Sequence, residues 1–290
     1  MKLFDPHIHM TSRPTSDYQA MADAGISAIV EPSFWLGQPR THVGTFEDYF
    51  LSLLGWERFR ASQFGISHFC TLSINPKEAN SPSIAQGVLD LLPRYLEKDG
   101  VVAVGEIGFD DRTDAEEHLF AEPLKLAMEF ELPVLIHTPH RDKKRGTARS
   151  LELVRRVGFP EQRVLIDHNN EETLPMVLET NCWAGHSIYP DTKMDELRMV
   201  ALIQTYGSDR IIINSAADWG VSDPFKVPKT VEAMYEAGLD EKTIQTVVWD
   251  NPVAFFGQSE RLDLDRDPID QSQLWEGNSV LRGQEPVVES

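Results

Sequence analysis

Short apolar runs rich in β-branched residues alternate with longer amphipathic stretches along most of the chain. Such runs have the length and composition of buried strands, because branched and aromatic side chains favour extended backbone. Eight runs are found, at residues 2–5, 27–33, 66–74, 101–107, 133–138, 164–168, 182–188 and 210–216. The pattern therefore predicts eight strands, each followed by a helical segment.

The stretches between the runs carry apolar residues at three- and four-residue spacing, which is the period of an amphipathic helix. They lie at residues 16–24, 46–62, 84–97, 115–130, 147–157, 171–180, 193–206 and 226–237. We expect Ser83 and Thr147 to cap the N-termini of two helices, since their hydroxyls accept bonds from free backbone amides. Gly158 and Gly238 stand where two helices should end.

Strict alternation of strand and helix predicts a parallel sheet with crossover helices. Eight repeats without a sign of reversal favour a single-domain α/β fold, the (β/α)8 TIM barrel, over an open doubly wound sheet. No GxGxxG pattern follows the first strand, which disfavours a dinucleotide-binding fold. The length of 290 residues suits one barrel, although length alone would also allow two domains.

The segment 258–290 differs from the rest of the chain. It loses the apolar periodicity and is rich in Asp, Gln, Ser and Pro. We therefore predict a barrel domain over residues 1–257 and an acidic, mobile C-terminal tail over residues 258–290. Trp275 and Leu281 would allow the tail to dock on the barrel, so a lid or a partner-binding segment is the alternative.

The candidate chemistry lies at the ends of the predicted strands, where barrels of this kind place their active sites. Six residues there suit a divalent metal: His7, His9, Glu106, His137, His168 and Asp218. Singly, each is more typical of a satisfied core or salt-bridged residue. Together they predict a metal site, in which His7 and His9 point to the same side because strand side chains alternate.

Several motifs around these residues resemble the TatD-like branch of the metal-dependent amidohydrolase superfamily. The matching segments are DPHIH at 5–9, GEIG at 105–108, PVLIHTP at 133–139, DH at 167–168, the Asp after the eighth strand, and NPVAFFG at 251–257. The resemblance implies a two-metal site whose ligands divide between the ions. His7, His9 and Asp218 would hold one metal, His137 and His168 the other, and Glu106 would bridge them.

The resemblance also implies a mechanism, in which a water between the metals is the nucleophile and Asp218 takes its proton. Two cations lower the pKa of a shared water and stabilise charge that develops in the transition state. Imidazole and carboxylate ligands suit Zn²⁺ best, with Mn²⁺, Fe²⁺ or Mg²⁺ as alternatives.

The chain departs from the best-known nuclease members beside two of the ligands. Asn169-Asn170-Glu171-Glu172 follow His168, and Trp219-Gly220 follow Asp218. The sequence resembles instead a poorly characterised subgroup, the predicted TIM-barrel hydrolases. We therefore favour hydrolysis of a phosphoester or an amide- or ester-type bond in a small anionic substrate.

Three other functions remain open from the sequence. A TatD-like DNase or phosphodiesterase is the alternative within the same class. A non-catalytic metal-binding partner in a biosynthetic assembly is an alternative of a different class, and a lyase or isomerase on the same scaffold is a third. The formal net charge of −19 disfavours a protein whose main role is binding DNA, since that role needs clustered Lys and Arg.

A second set of residues is predicted to line the substrate site or support the ligands. A basic cluster follows the fifth strand, and aromatic residues follow the second, seventh and eighth. The substrate candidates are His140, Lys143, Lys144, Trp35, His186 and Trp219. Solvated loops and ordinary packing are the alternative interpretations. We further expect Glu31 to orient a ligand histidine, Asp5 to lie inside the barrel, and Asp167 to face the helices in a salt bridge.

The remaining composition indicates compartment and redox state. Cys70 and Cys182 both lie in apolar runs and are predicted to be buried free thiols. The N-terminus carries no apolar segment typical of a signal peptide, so we expect a cytoplasmic protein. The sequence does not indicate an oligomeric state.

Overall fold

The computed structural model describes residues 1–265. Eight parallel strands form one sheet in the order of the chain. They are β1 (Leu3–Asp5), β2 (Ile26–Pro32), β3 (Ser67–Leu72), β4 (Val101–Gly108), β5 (Val134–His137), β6 (Val164–Ile166), β7 (Trp183–Ser187) and β8 (Ile211–Asn214). All eight predicted strands are confirmed. Their sequences are apolar runs because parallel strands in a barrel are buried on both faces of the sheet.

The sheet closes on itself just beyond the ends of its first and last strands. The amide of Ala216 donates to the carbonyl of His7 over 2.8 Å, and the amide of His9 donates to the carbonyl of Ala217, also over 2.8 Å. The chain is therefore a single-domain (β/α)8 barrel, as the sequence predicts.

Helices surround the barrel. They are α1 (Thr15–Asp23), α2 (Val43–Leu51), α3 (Arg58–Ser62), α4 (Pro82–Leu96), α5 (Asp114–Glu129), α6 (Lys143–Val157), α7 (Leu174–Leu178), α8 (Glu196–Tyr206), α9 (Lys226–Glu236), α10 (Glu241–Gln245) and α11 (Asn251–Phe256). Two π-helical segments, Ser52–Glu57 and Thr246–Asp250, link α2 to α3 and α10 to α11. Four 3₁₀ turns complete the helical structure, at Met10–Ser12, Pro76–Glu78, Glu161–Arg163 and Gly257–Ser259.

Both predicted N-terminal caps are wrong. Helix α4 begins at Pro82, so Ser83 lies inside its first turn; proline suits that position because its φ is already helical and it needs no amide partner. Helix α6 begins at Lys143, and Thr147 is buried within it. The sequence Lys143–Arg145 carries no apolar residue that would reveal a helix, although Lys and Arg are good helix formers. Gly158 does end α6 in left-handed backbone.

Two apolar layers hold the barrel together. Side chains that point inward fill its interior: Phe4, Ala28, Val30, Phe69, Val102, Ala103, Leu135, Leu165 and Ile212. Phe255 and Phe256 of α11 close the lower end, where the ring of Phe256 lies 6.2 Å from that of Phe4. A larger cluster lies between the strands and the helices. Because α11 covers the end of the barrel where the strands begin, the opposite end, formed by the C-terminal ends of the strands, is the open mouth.

The first part of the predicted tail contacts the barrel. Leu262 and Leu264 pack against the interior cluster, and the Arg261 guanidinium donates to the carbonyl of Leu96. Trp275 and Leu281 lie outside the described residues, so the mobility and docking of the tail stay predictions.

Two smaller predictions can be compared with the structure. Cys70 and Cys182 are free and buried, as expected, and burial raises the pKa of both thiols, that of Cys182 to about 11. Within residues 1–265, no helix has the length and apolar character that would let it cross a bilayer.

Candidate metal centre

Four histidines and one glutamate meet at the mouth of the barrel. His7 and His9 follow β1, Glu106 lies near the end of β4, His137 ends β5, and His168 follows β6. All are buried, none being more than 6% exposed. Because the C-terminal ends of the parallel strands meet at the mouth, these five predicted ligands lie in one cluster.

The carboxylate of Glu106 is the centre of this cluster. Its Oε1 lies 3.5 Å from His7 Nε2, 3.6 Å from His168 Nε2 and 3.6 Å from His137 Nδ1. One atom each from His7, Glu106 and His168 lie within 4.8 Å of one another. His9 Nε2 extends the group, since it lies 3.0 Å from His7 Nε2. Ring nitrogens and a carboxylate therefore face a common space.

The sixth predicted ligand, Asp218, does not contact the other five: within residues 1–265, no nitrogen of the four histidines lies within 4.0 Å of its carboxylate. It follows β8 and is partly exposed. Its Oδ1 accepts a hydrogen bond from the Tyr189 hydroxyl at 2.9 Å and another from the Gly220 amide at 2.8 Å. Asp218 is thus held at the mouth by two donors that fix the direction of its carboxylate.

Three of the histidines use Nδ1 for a protein contact and present Nε2 to the cluster. His7 Nδ1 contacts Asp167 Oδ2 at 2.6 Å, His9 Nδ1 contacts the Pro32 carbonyl at 3.1 Å, and His168 Nδ1 contacts Ser187 Oγ at 2.6 Å. An imidazole whose Nδ1–H is donated to an oxygen has a free lone pair on Nε2. This arrangement of outer contacts is typical of metal-binding histidines.

The contacts of His7 and His168 belong to one hydrogen-bonded chain. The Ser187 hydroxyl that meets His168 donates to Asn214 Oδ1 at 2.7 Å. The Asn214 amide in turn donates to Asp167 Oδ1 at 3.0 Å, and Asp167 Oδ2 meets His7. A single polar chain therefore fixes the tautomers of two rings that both approach Glu106 Oε1.

Within the cluster, His137 is the ring whose nitrogens lack a hydrogen-bond partner in the described residues. It is 6% exposed. Burying a polar group without a partner is unfavourable by about 1–3 kcal/mol. A metal ion beside Glu106 would satisfy His137, and imidazole with carboxylate is a donor set that Zn²⁺, Mn²⁺ and Fe²⁺ accept. The residues present fit a bound metal.

The charge states of the cluster also suit a cation. Burial raises the pKa of Glu106, but the charge of His7 and the close approach of the His137 and His168 rings outweigh it and hold that pKa well below its usual range. Burial lowers the pKa of His9 to about 3, and burial together with Lys193 lowers that of His168. Burial opposes protonation of His7, yet Glu106 and Asp167 raise its pKa. An incoming metal would therefore displace a proton from His7.

The predicted direction of Asp167 is wrong. Its side chain is fully buried and bonds to His7 instead of facing the helices. Leu165 of β6 points into the barrel, so alternation places Asp167, two residues further along, on the same inner side. The prediction took His168 as the inward residue, but His168 has left-handed backbone with φ of 61° and does not continue the strand. Burial raises the pKa of Asp167, but the charge of His168 and the bond from His7 lower it further, which keeps the carboxylate ionised.

Glu31 does not orient a ligand histidine. Its Oε2 contacts His68 Nε2 at 2.9 Å, and its Oε1 accepts from the Thr11 amide at 2.7 Å. The prediction fails because Glu31 lies on the outer face of β2, whereas Val30 points into the barrel. Asp5, predicted to support a ligand or to lie inside the barrel, is fully buried and accepts from the Ser215 amide at 3.1 Å.

Two predicted substrate residues lie below the open surface of the mouth. The Lys143 ammonium bonds to Thr138 Oγ1 at 3.1 Å and to the His168 carbonyl at 2.9 Å, so it supports the loops beneath the mouth. His186 is fully buried, and it lies on the opposite face of β7 from Ser187, which faces the site. His186 therefore does not line the mouth.

The other substrate candidates lie near the surface. His140 is exposed, and its ring is 6.5 Å from that of His168. Trp35 and Trp219 contact each other with ring centroids 5.9 Å apart, and Trp219 is 51% exposed. Lys144 is exposed in the first turn of α6. These four stay predictions for contact with substrate.

Sequence reasoning missed Ser187, Asn214 and Lys193. Ser187 and Asn214 are the last residues of β7 and β8. The search for polar residues at the ends of strands, which identified the ligands, would therefore also have identified these two. Lys193 lies in the loop after β7, and no pattern marks it. Its Nζ lies 3.3 Å from His168 Nδ1.

Comparison with known proteins agrees with this geometry. A family model described as TatD related DNase matches residues 4–257. The chain belongs to this family. An uncharacterized metal-dependent hydrolase of Methanocaldococcus jannaschii is 26% identical over 257 residues, which cover 88% of this chain and 99% of that relative. Together with the buried histidine–glutamate cluster, these matches identify a metal-dependent hydrolase of the TatD family.

Solved structures show the same architecture as this TatD-family chain. A TatD-like protein of Archaeoglobus fulgidus has a TM-score of 0.72 at 28% identity, covering 87% of this chain and 99% of its own. A phosphotriesterase homology protein of Escherichia coli has a TM-score of 0.63 at 13% identity, covering 88% and 98%. At that identity the second match shows the fold alone.

Proposed function

We propose that this TatD-family hydrolase uses two divalent metals to cleave a phosphoester or an amide- or ester-type bond in a small anionic substrate. The observation that carries the proposal is the convergence of imidazole nitrogens on Glu106, with His137 buried and, among residues 1–265, without a hydrogen-bond partner. Zn²⁺ is the metal that best suits this donor set.

In this proposal the ligands fall into two groups. His7, His9 and Asp218 would hold one ion, His137 and His168 the other, and Glu106 would contact both. When bound, the metals supply a strong Lewis acid that activates water and stabilises negative charge in the transition state.

The protein itself supplies the proton acceptor. Asp218 Oδ1 is engaged by Tyr189 and Gly220, and within residues 1–265 its Oδ2 has no such donor. Oδ2 is therefore the atom that would take the proton of the attacking water. Because Tyr189 and Gly220 fix the plane of the carboxylate, little reorganisation would be needed at that moment.

A small anionic substrate agrees with the charge distribution better than DNA does. The net charge of −19 repels a polyanion at long range, whereas a small anion needs only local positive charge at the mouth. The family match favours DNA cleavage as the second candidate.

The test is a metal analysis followed by a substrate panel of p-nitrophenyl phosphate, bis-p-nitrophenyl phosphate, p-nitrophenyl acetate, a dipeptide amide and plasmid DNA. We expect metal-dependent turnover of at least one small substrate, abolished by chelation. Asp218→Asn should lower kcat by about 10²–10⁴-fold, the usual contribution of a general base, while most of the metal remains bound. Cleavage of DNA alone would favour the nuclease, and no turnover by fully loaded protein would contradict the proposal.

A further inference from the structure

Lys193 brings a positive charge into the metal centre. It lies in the loop between β7 and α8, and its Nζ is 3.3 Å from His168 Nδ1 and 5.0 Å from the centroid of the Tyr189 ring. Tyr189 also donates to Asp218, so Lys193 contacts one proposed ligand, His168, and the neighbour of another. None of the proposed ligand roles uses this ammonium.

The Lys193 ammonium has no carboxylate partner. Within the described part of the chain, no carboxylate oxygen lies within 4.0 Å of its Nζ, whereas Lys77 is paired with Asp110 at 3.2 Å and Lys226 with Glu196 at 2.7 Å. His168 cannot serve as its acceptor once the site is loaded. If Nε2 of that ring binds metal, Nδ1 carries the proton and donates it to Ser187.

The backbone of Lys193 is held in place by a separate set of contacts. The Arg198 guanidinium donates to the Lys193 carbonyl at 2.8 Å, and Arg198 is itself fixed by two bonds to Glu171 at 2.8 and 2.7 Å. The Tyr189 amide donates to the Met194 carbonyl at 3.0 Å, which closes the loop on itself. The ammonium is therefore presented from an ordered loop, which lowers the entropy cost of binding a ligand.

Once two metals are bound, the local charge would favour an anion at this point. Glu106, Asp167 and Asp218 are the carboxylates whose charge acts on Lys193. Two divalent ions together with Lys193 would exceed the charge of those carboxylates. An oxyanion bound between the metals and Lys193 would reduce that excess, and a charge-assisted hydrogen bond from an ammonium is stronger than a neutral one.

We propose that Lys193 binds an oxyanion group of the substrate, a phosphate or a carboxylate, on the His168 side of the metal centre. The inference rests on the proposed function and extends it, because it assigns the recognition of a small anion to one residue. Lys143 is less available for this role, since two of the three N–H groups of its ammonium are donated to Thr138 and to the His168 carbonyl.

The test measures anion binding by calorimetry on protein loaded with the metal found on purification, with inorganic phosphate and acetate as separate probes. Lys193→Met should weaken binding of the preferred probe by about ten- to a hundredfold, the usual effect of removing a hydrogen bond to a charged group. Lys193→Arg should restore most of the affinity. Lys98→Met, at an exposed lysine before β4 and so at the opposite end of the barrel, is the matched control and should leave the affinity unchanged.

Metal content and thermal unfolding of each variant complete the experiment. Tighter binding of phosphate or of acetate to wild type would identify which oxyanion Lys193 prefers. Binding by Lys193→Met within twofold of wild type at equal metal content would overturn the inference. So would loss of metal from Lys193→Met, because Lys193 would then act only by supporting His168. The readout is binding, so its failure is distinguishable from an absence of hydrolysis.

Discussion

Replacing Asp167 by Asn is expected to weaken metal binding while leaving the barrel folded. In the wild type, Asp167 Oδ2 meets His7 Nδ1 at 2.6 Å, and its Oδ1 accepts from the His168 amide at 2.7 Å and from Asn214 at 3.0 Å. Asn retains an oxygen for those two amides. Its NH₂ group then faces His7 and can only donate, so the His7 proton moves to Nε2 and blocks the lone pair that a metal needs.

The size of the effect follows from the role of such contacts. Loss of an outer hydrogen bond to a metal-binding histidine lowers metal affinity by about 10- to 100-fold. That range corresponds to about 1.4–2.7 kcal/mol of binding free energy. The short distance and full burial of the Asp167–His7 contact place the expected loss towards the upper part of that range.

The assay is competition for zinc between the protein and a chelator of known affinity, with circular dichroism to verify folding. Asp209→Asn is the matched control, because the Asp209 side chain is 90% exposed just before β8 and so lies far from the mouth. Metal affinity of folded Asp167→Asn equal to that of wild type would refute the reasoning. An equal loss in the Asp209 variant would show that the effect is not specific to the site.

Three further predictions concern stability and packing. Burial raises the pKa of Glu31 from 4.5 to about 7, so its contribution to stability is fully present below pH 4.5 and is lost as pH rises through about 7. In urea titrations from pH 4 to pH 8, Glu31→Gln should therefore reduce the change in unfolding free energy with pH by about 3 kcal/mol. The exposed Glu179→Gln should leave that change as it is in the wild type. A Cβ at Gly185 would lie 2.3 Å from Asp167 Oδ1, so Gly185→Ala should displace that carboxylate. The substitution should lower the free energy of unfolding by about 1–3 kcal/mol in the same titrations and weaken zinc binding, and an unchanged zinc affinity would contradict this. Removal of the bound metal by a chelator should lower the melting temperature by several degrees, because a metal at a hundred times its Kd stabilises the folded state by about 2.7 kcal/mol. An unchanged melting curve would contradict a metal site in the folded state.

The strands and most ligands could be predicted because they depend on short-range patterns. A parallel strand buried on both faces must be an apolar run, and parallel strands in a barrel all end at the same rim. His7, Glu106, His137 and His168 follow directly from those two facts. The start of α6 could not be found in the same way, because Lys143–Arg145 are helical without an apolar face.

Side-chain direction beyond the strand ends was the main source of error. Counting back from His168 places Asp167 in the outer layer, but His168 has left-handed backbone, and counting forward from the inward-pointing Leu165 places Asp167 inside. Lys193 reaches the site through a loop whose shape depends on Arg198 and Glu171, residues distant from the motifs. Both features depend on tertiary contacts that a single sequence does not display.

The most direct test of a two-metal centre is anomalous diffraction at the zinc edge from crystals of the zinc-loaded protein. We expect two peaks that flank the Glu106 carboxylate, one beside His7, His9 and Asp218, the other beside His137 and His168. A single peak, or peaks away from Glu106, would contradict the assignment.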